Sequence, residues 1–413
     1  MPDLVTRRPY RLRDDESNIR VVARVDGGPS LWFSVPPDAE NLLGRRADHV
    51  AVALLLPAMR DGRDLRVGGV VTDALLHRMN GDLQALIRII HPGYQRIEVS
   101  AEETAPPGPA PLGVATGFSG GVDSAATLRE YAGPGVPDSL RITHLLNNNV
   151  GAHGDGGRQL WRRRCEGLRP VVEELGLPFI RVDSNLDEHF PRMGFTETVV
   201  LRNAAVVHLL GGGIGRSYHA SEGTYRNIRM PPPNGDIGLA IGLLLPLLST
   251  SALTLEATSS GLSRVERTLA LLGTPFARHL DVCIDADPDR IGNCSACWKC
   301  MRTMLTLDIA GRLDDVVPEV FRREPYERRL PAFHAELLAS TEPNEIEVVE
   351  FGDRNGWRWG ALPRVHALRR RVQRRLGVAA RAARNRVRAR AVGEGSGSAG
   401  GQDGMRRRVP STS

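Results

Sequence analysis

The chain has 413 residues, of which 41% are hydrophobic and 25% charged, with only five cysteines. This composition excludes a disulfide-built miniprotein, a disordered chain and a membrane bundle, and leaves a globular chain long enough for two or three folded units. The net charge of +6 is uneven, because residues 365–413 carry 13 arginines against Glu394 and Asp403, a net +11, which leaves −5 for residues 1–364.

The N-terminal stretch MPDLVTRRPYRLRDDE has no apolar leader, so a cytoplasmic location is expected. Residues 1–104 read as a smaller α+β domain, with β-rich runs over 20–25 and 31–35, an apolar stretch over 49–56, a pair over 65–71, a helical pattern over 72–90 and a strand over 96–100. Four prolines in APPGPAPLG forbid helix and central strand, so 105–112 reads as a linker. Over 113–311 strands and helices alternate: strands at 113–118, 141–146, 179–182, 217–220 and 253–257, helices at 122–131, 158–175, 196–210 and 262–272. Such alternation predicts an α/β fold with a mostly parallel sheet, helices on both faces and ligands at the carboxyl ends of the strands. The longest apolar run, 239–248, contains Pro246 and falls well short of the roughly 18 to 20 residues a membrane helix needs. Residues 312–364 form a C-terminal extension, and 365–413 an Arg-rich helix with a low-complexity end.

The predicted strand at 113–118 runs into Ser119-Gly120-Gly121-Val122-Asp123-Ser124, and a helix follows. Adjacent glycines let the backbone turn tightly and bring N–H groups onto an anion, while the helix start adds partial positive charge. Ser119 and Ser124 can donate to phosphate oxygens, and Asp123 can hold Mg2+. The loop is not the mononucleotide type, which ends in Gly-Lys-Ser/Thr, because the only lysine among the 54 basic residues is Lys299. The other glycine cluster, 211–215, reads as a helix cap and turn.

Four cysteines gather as Cys283 and the C-x2-C-x2-C run Cys294, Cys297 and Cys300, with ten residues between the first two. These spacings suit one tetrahedral Zn2+; four thiolates leave no open position for water, so the ion is expected to be structural. The fifth, Cys165, follows Arg162, Arg163 and Arg164, whose charge could lower its thiol pKa, but with no partner cysteine nearby it reads as structural or incidental.

The S-G-G-V-D-S turn resembles the PP-loop signature of the N-type ATP pyrophosphatases, a superfamily with a HUP-type, Rossmann-like sheet. Combined with the four-cysteine knuckle, the chain resembles the 7-cyano-7-deazaguanine synthase branch over 113–311. Leu201-Arg202-Asn203-Ala204 is similar to the family's R-N helix start, Tyr218 to Gly223 to its second strand-end motif, and Ser263-Arg264-Val265-Glu266 to its S-K-x-E helix. The resemblance implies cleavage of ATP to AMP and pyrophosphate and adenylation of a small-molecule carboxylate for attack by ammonia or an amine. It also implies that Val122 and the other loop residues, with Asn203 and Glu222, hold nucleotide and metal, and that Asp123, Ser119 and Arg202 serve catalysis. Two other readings stay open: a tRNA-modifying adenylase or thiolase that grips RNA through the Arg-rich tail, and a zinc-containing nucleic-acid-binding module. A homodimer is compatible with either.

Overall fold

The alternation of apolar strands and amphipathic helices resolves into a central eight-stranded sheet in the computed structural model, which describes residues 2–154, 157–228, 230–285, 287 and 292–360. The Arg-rich tail lies outside the described residues. In chain order the strands are β1 (Leu4–Val5), β2 (Tyr10–Arg13), β3 (Ile19–Ala23), β4 (Leu31–Val35), β5 (Leu65–Thr72), β6 (Val99–Ala105), β7 (Gly113–Gly117), β8 (His144–Asn148), β9 (Phe179–Ser184), β10 (Ile214–Ala220) and β11 (Thr254–Thr258).

Strands β9, β8, β7, β10 and β11 lie side by side and parallel. Counted from β7, that is the order 3-2-1-4-5, so the winding reverses between β7 and β10, and the loops leaving these two strands diverge to open a crevice. Parallel strands covered on both faces are rich in apolar residues, and Val114, Leu145, Ile180 and Leu255 are all buried.

The first hundred residues contribute to two sheets. β4 pairs antiparallel with the outer edge of β9, Phe33 opposite Ser184, and β3 and β2 extend the same sheet. β1, β5 and β6 form a second, three-stranded parallel sheet. The apolar stretch over 49–56 lies in the helix Asp48–Asp61, buried from Asp48 to Met59, because it packs against the helix Val199–Leu209. The glycine cluster closes that second helix as expected: a Cβ on Gly212 would lie 2.5 Å from the Leu43 carbonyl oxygen, so only glycine admits this contact.

Helices Val122–Tyr131, Arg264–Ala270 and Trp298–Ile309 cover the other face around a second core that includes Cys300, Met304 and Phe321. The C-terminal extension supplies two more helices there, Arg323–Leu338 and Pro343–Arg354. Among the described residues no helix is long and apolar enough to cross a membrane.

Candidate functional site

β7 ends at Gly117, buried Phe118 anchors the turn, and the helix begins at Val122 with Gly121 as its N-cap. Gly120 has φ +75°, and a Cβ there would meet Leu168 Cδ2 at 2.6 Å, so backbone conformation and space both demand glycine. No side chain caps the helix, which leaves the N–H groups of its first turn for an external acceptor. Ser124 donates to the Gly121 carbonyl at 3.0 Å, and its hydroxyl lies 3.4 Å from that of Ser119. The two serines brace the turn in this arrangement, with Ser119 exposed and Ser124 buried.

This turn floors a cleft of about 540 Å³ at the carboxyl ends of β7, β8 and β10, at the point where the winding reverses. The volume suits a small molecule or nucleotide. Asn147 and Asn148 rim it from β8, Asn203 from the helix Val199–Leu209, and Tyr218, His219 and Glu222 from β10 and beyond. The far wall is Arg264, residues 281–284, Trp298 and Lys299. Asn148 donates to the Asn203 side chain at 3.0 Å, while its own Oδ1 is buried without a partner. His219 Nε2 is likewise buried and unpaired, and burial pulls this imidazole down to about 4, so the ring is neutral at pH 7.

Asp123 faces two arginines. Its Oδ2 accepts from Arg264 Nη1, and its Oδ1 accepts from Arg267 Nη1 at 2.9 Å. Burial alone would raise its pKa, but Arg264 and Arg267, with Arg302 behind them, outweigh it and hold the carboxyl below the usual range. Arg267 is wholly buried and also donates to the carbonyls of Ser221, Gly223 and Ser259, so it ties the ends of β10 and β11 together. Both Asp123 oxygens are therefore engaged by guanidinium groups, and the expected Mg2+ ligand is an anchor for the helix Arg264–Ala270. The carboxylate left facing the cleft with no hydrogen bond or ion pair among the described residues is Glu222. Its side chain is open to the cleft, yet the crowded walls and nearby Asp236 push its carboxyl up. One carboxylate beside substrate phosphates is a donor set that Mg2+ commonly accepts.

Arg202 lies elsewhere. It is 1% exposed, behind the cleft wall, ion-paired with Asp187 at 2.6 Å, bonded to Thr198 Oγ1 and the Val150 carbonyl, and 4.1 Å above the Phe190 ring. In this arrangement it braces the segment after β8 and does not reach the cleft; its neighbour Asn203 does.

The four cysteines converge, their sulfurs all within 4.8 Å of one another and Cys294 Sγ 3.9 Å from Cys300 Sγ. Zn–S bonds of about 2.3 Å set tetrahedral sulfurs about 3.8 Å apart, so the cluster fits Zn2+. Backbone N–H groups support the charge: Asp285 and Cys294 donate to Cys283 Sγ at 3.4 Å, and Ala296 and Cys297 donate to Cys294 Sγ at 3.4 and 3.0 Å. The cluster borders the cleft through Cys283, and the Asp281 N–H donates to the Gly120 carbonyl at 2.9 Å, which links the cysteine segment to the glycine turn.

Comparison with protein-family models, curated proteins and solved structures finds no match.

Cys165 is a core residue, as its lack of a partner cysteine suggested, and its arginine neighbours do not lower its thiol pKa. It is 3% exposed, and burial pushes its thiol up to about 12. The preceding arginines spend their charge elsewhere, Arg162 on Glu16 and Arg164 on the carbonyls of Cys283 and Asp285. Sequence reasoning missed Lys299 as a cleft residue and Arg267 as the second partner of Asp123. The signal for Lys299 was its being the only lysine in so arginine-rich a chain.

Proposed function

We propose that the chain is an ATP pyrophosphatase of the PP-loop type that adenylates a small-molecule carboxylate and passes it to ammonia or an amine. The observation that carries the reading is the position of the uncapped glycine turn at the β7/β10 crossing, the place where doubly wound sheets bind nucleotide phosphates. The four-cysteine cluster beside it supports the 7-cyano-7-deazaguanine synthase branch in particular.

In this reading the amides of Gly120, Gly121 and the first helical turn receive the β and γ phosphates, and the Ser119 and Ser124 hydroxyls turn toward them. Mg2+, held by Glu222 and the phosphates, would neutralise charge on the departing pyrophosphate. Asp123 keeps Arg264 in the cleft wall. Asn148 and Asn203 offer polar atoms to the adenosine or the acceptor. The acceptor carboxylate attacks the α-phosphorus, the α–β bridging P–O bond breaks, and AMP leaves when the amine takes the acyl group. The zinc cluster performs no step; it fixes the far wall.

Incubation with ATP, Mg2+, ammonium and a panel of carboxylates that includes 7-carboxy-7-deazaguanine tests the reading. Acceptor-dependent pyrophosphate release is expected, and formation of the nitrile would place the chain in that branch. Pyrophosphate release with no member of the panel would count against the synthetase.

A further inference from the structure

A phosphate-binding turn with no lysine of its own needs a cation from elsewhere in the cleft, and the far wall has one to spare. This argument rests on the nucleotide reading above. Lys299 is the sole lysine of the chain, it lines the same cleft as Ser119–Ser124, and it makes no hydrogen bond or ion pair with any described residue. Glu222 shares the cleft but lies beyond ion-pair distance. Among the described residues its ammonium meets only the ring of Trp298, 5.5 Å away.

The surroundings repeat the pattern. Arg302, one turn along the helix Trp298–Ile309, is 5% exposed, its Nε has no partner, and its guanidinium lies 4.9 Å above the same ring. Arg264 Nε in the cleft wall is also buried and unpaired. Arg264 keeps its ion pair with Asp123, but buried guanidinium N–H groups without an acceptor are costly unless a ligand supplies one. Position adds to the case, because Lys299 stands between the metal-cluster residues Cys297 and Cys300, which fix its backbone, and the neighbouring cysteine segment is bonded to the Gly120 carbonyl.

We propose that Lys299 reaches from the zinc-held start of its helix into the cleft to hold a substrate oxyanion, either the phosphate chain of the nucleotide or the carboxylate of its partner. A compact ammonium with three donors suits that task at close quarters, where a planar guanidinium would need a matched pair of oxygens.

A single lysine makes the test specific. Full-length protein is acetylated with a succinimidyl ester, and the initial rate at Lys299 is followed by peptide mass spectrometry, with and without pyrophosphate, α,β-methylene-ATP or benzoate. At pyrophosphate ten times its calorimetric Kd, acetylation should slow about tenfold. Protection by pyrophosphate or the ATP analogue assigns the phosphate chain, and protection by benzoate alone assigns the carboxylate; both uphold the proposal. Acetylation undiminished by every probe, while calorimetry shows pyrophosphate bound, overturns the role of Lys299 and leaves the nucleotide reading standing. Absence of both binding heat and protection by any probe overturns the two together. Lys299→Gln, checked for zinc content, should weaken whichever probe protects by about tenfold or more, and an unchanged affinity would also overturn the assignment.

Discussion

Asp123→Asn removes the one carboxylate that two buried guanidinium groups share. Arg267 keeps its bonds to three backbone carbonyls, but Arg264 loses its only ion-pair partner among the described residues, where its Nε already has none. Breaking a buried pair from one side costs about 3–5 kcal/mol. Asparagine retains one acceptor and the Asp123 side chain is 23% open to the cleft, so the lower end, about 3 kcal/mol, is expected. With a urea slope of about 3 kcal/mol/M, the unfolding midpoint should fall by about 1 M at unchanged slope. The effect should depend on pH. The folded-state pKa lies below the ordinary value of about 3.9, so wild type keeps its full advantage above that pH and loses it as acidification passes through the folded value. The two proteins should therefore converge in strong acid. Urea unfolding of Asp123→Asn, Arg264→Met and the double variant measures the coupling directly, expected at about 1.5 kcal/mol or more. A loss under about 1 kcal/mol with additive single effects would refute the reasoning, and would mean that Asp123 is free to bind a metal.

Purified protein should contain one zinc per chain, and Cys297→Ser should lose both the metal and much of the folded yield, since structural zinc contributes about 10–16 kcal/mol in small sites; metal analysis decides it. Gly120→Ala forces a Cβ into Leu168 at an unfavourable φ. It should keep the circular dichroism spectrum yet lower ATP turnover about a hundredfold through misplacement of the amides, and near-normal turnover would show that the turn does not touch the phosphates. Buried Cys165 should resist thiol reagents in the folded protein at pH 8, and rapid labelling by mass spectrometry would contradict its place in the core.

Much of the sheet was legible because local pattern dictates it. The helix after the glycine turn begins and ends as its periodicity requires, and the helical pattern over 158–175 breaks into Gly157–Gly167 and Arg169–Leu175 near Pro170. Strand β8 starts at His144, later than its apolar run suggests, because the Thr143 side chain bonds both backbone groups of Val114 at the strand entry. The pairing of β4 with β9 was not legible, since Phe33 meets Ser184 across a span that no local pattern reports. The same distance in sequence hid the Asp123–Arg264–Arg267 cluster, and an arginine in an apolar helix does not announce that its partner is Asp187. The cysteine cluster was legible because metal geometry fixes spacing within one short segment.

The cleft should direct ATP cleavage between the α and β phosphates. Phosphorus-31 NMR of a reaction containing protein, ATP, Mg2+, ammonium and an accepted carboxylate reads the bond that breaks. AMP and pyrophosphate should form in equal amounts, dependent on the carboxylate and lost in Gly120→Ala. Accumulation of ADP and inorganic phosphate, or equal pyrophosphate formation by that variant, would contradict that role of the cleft.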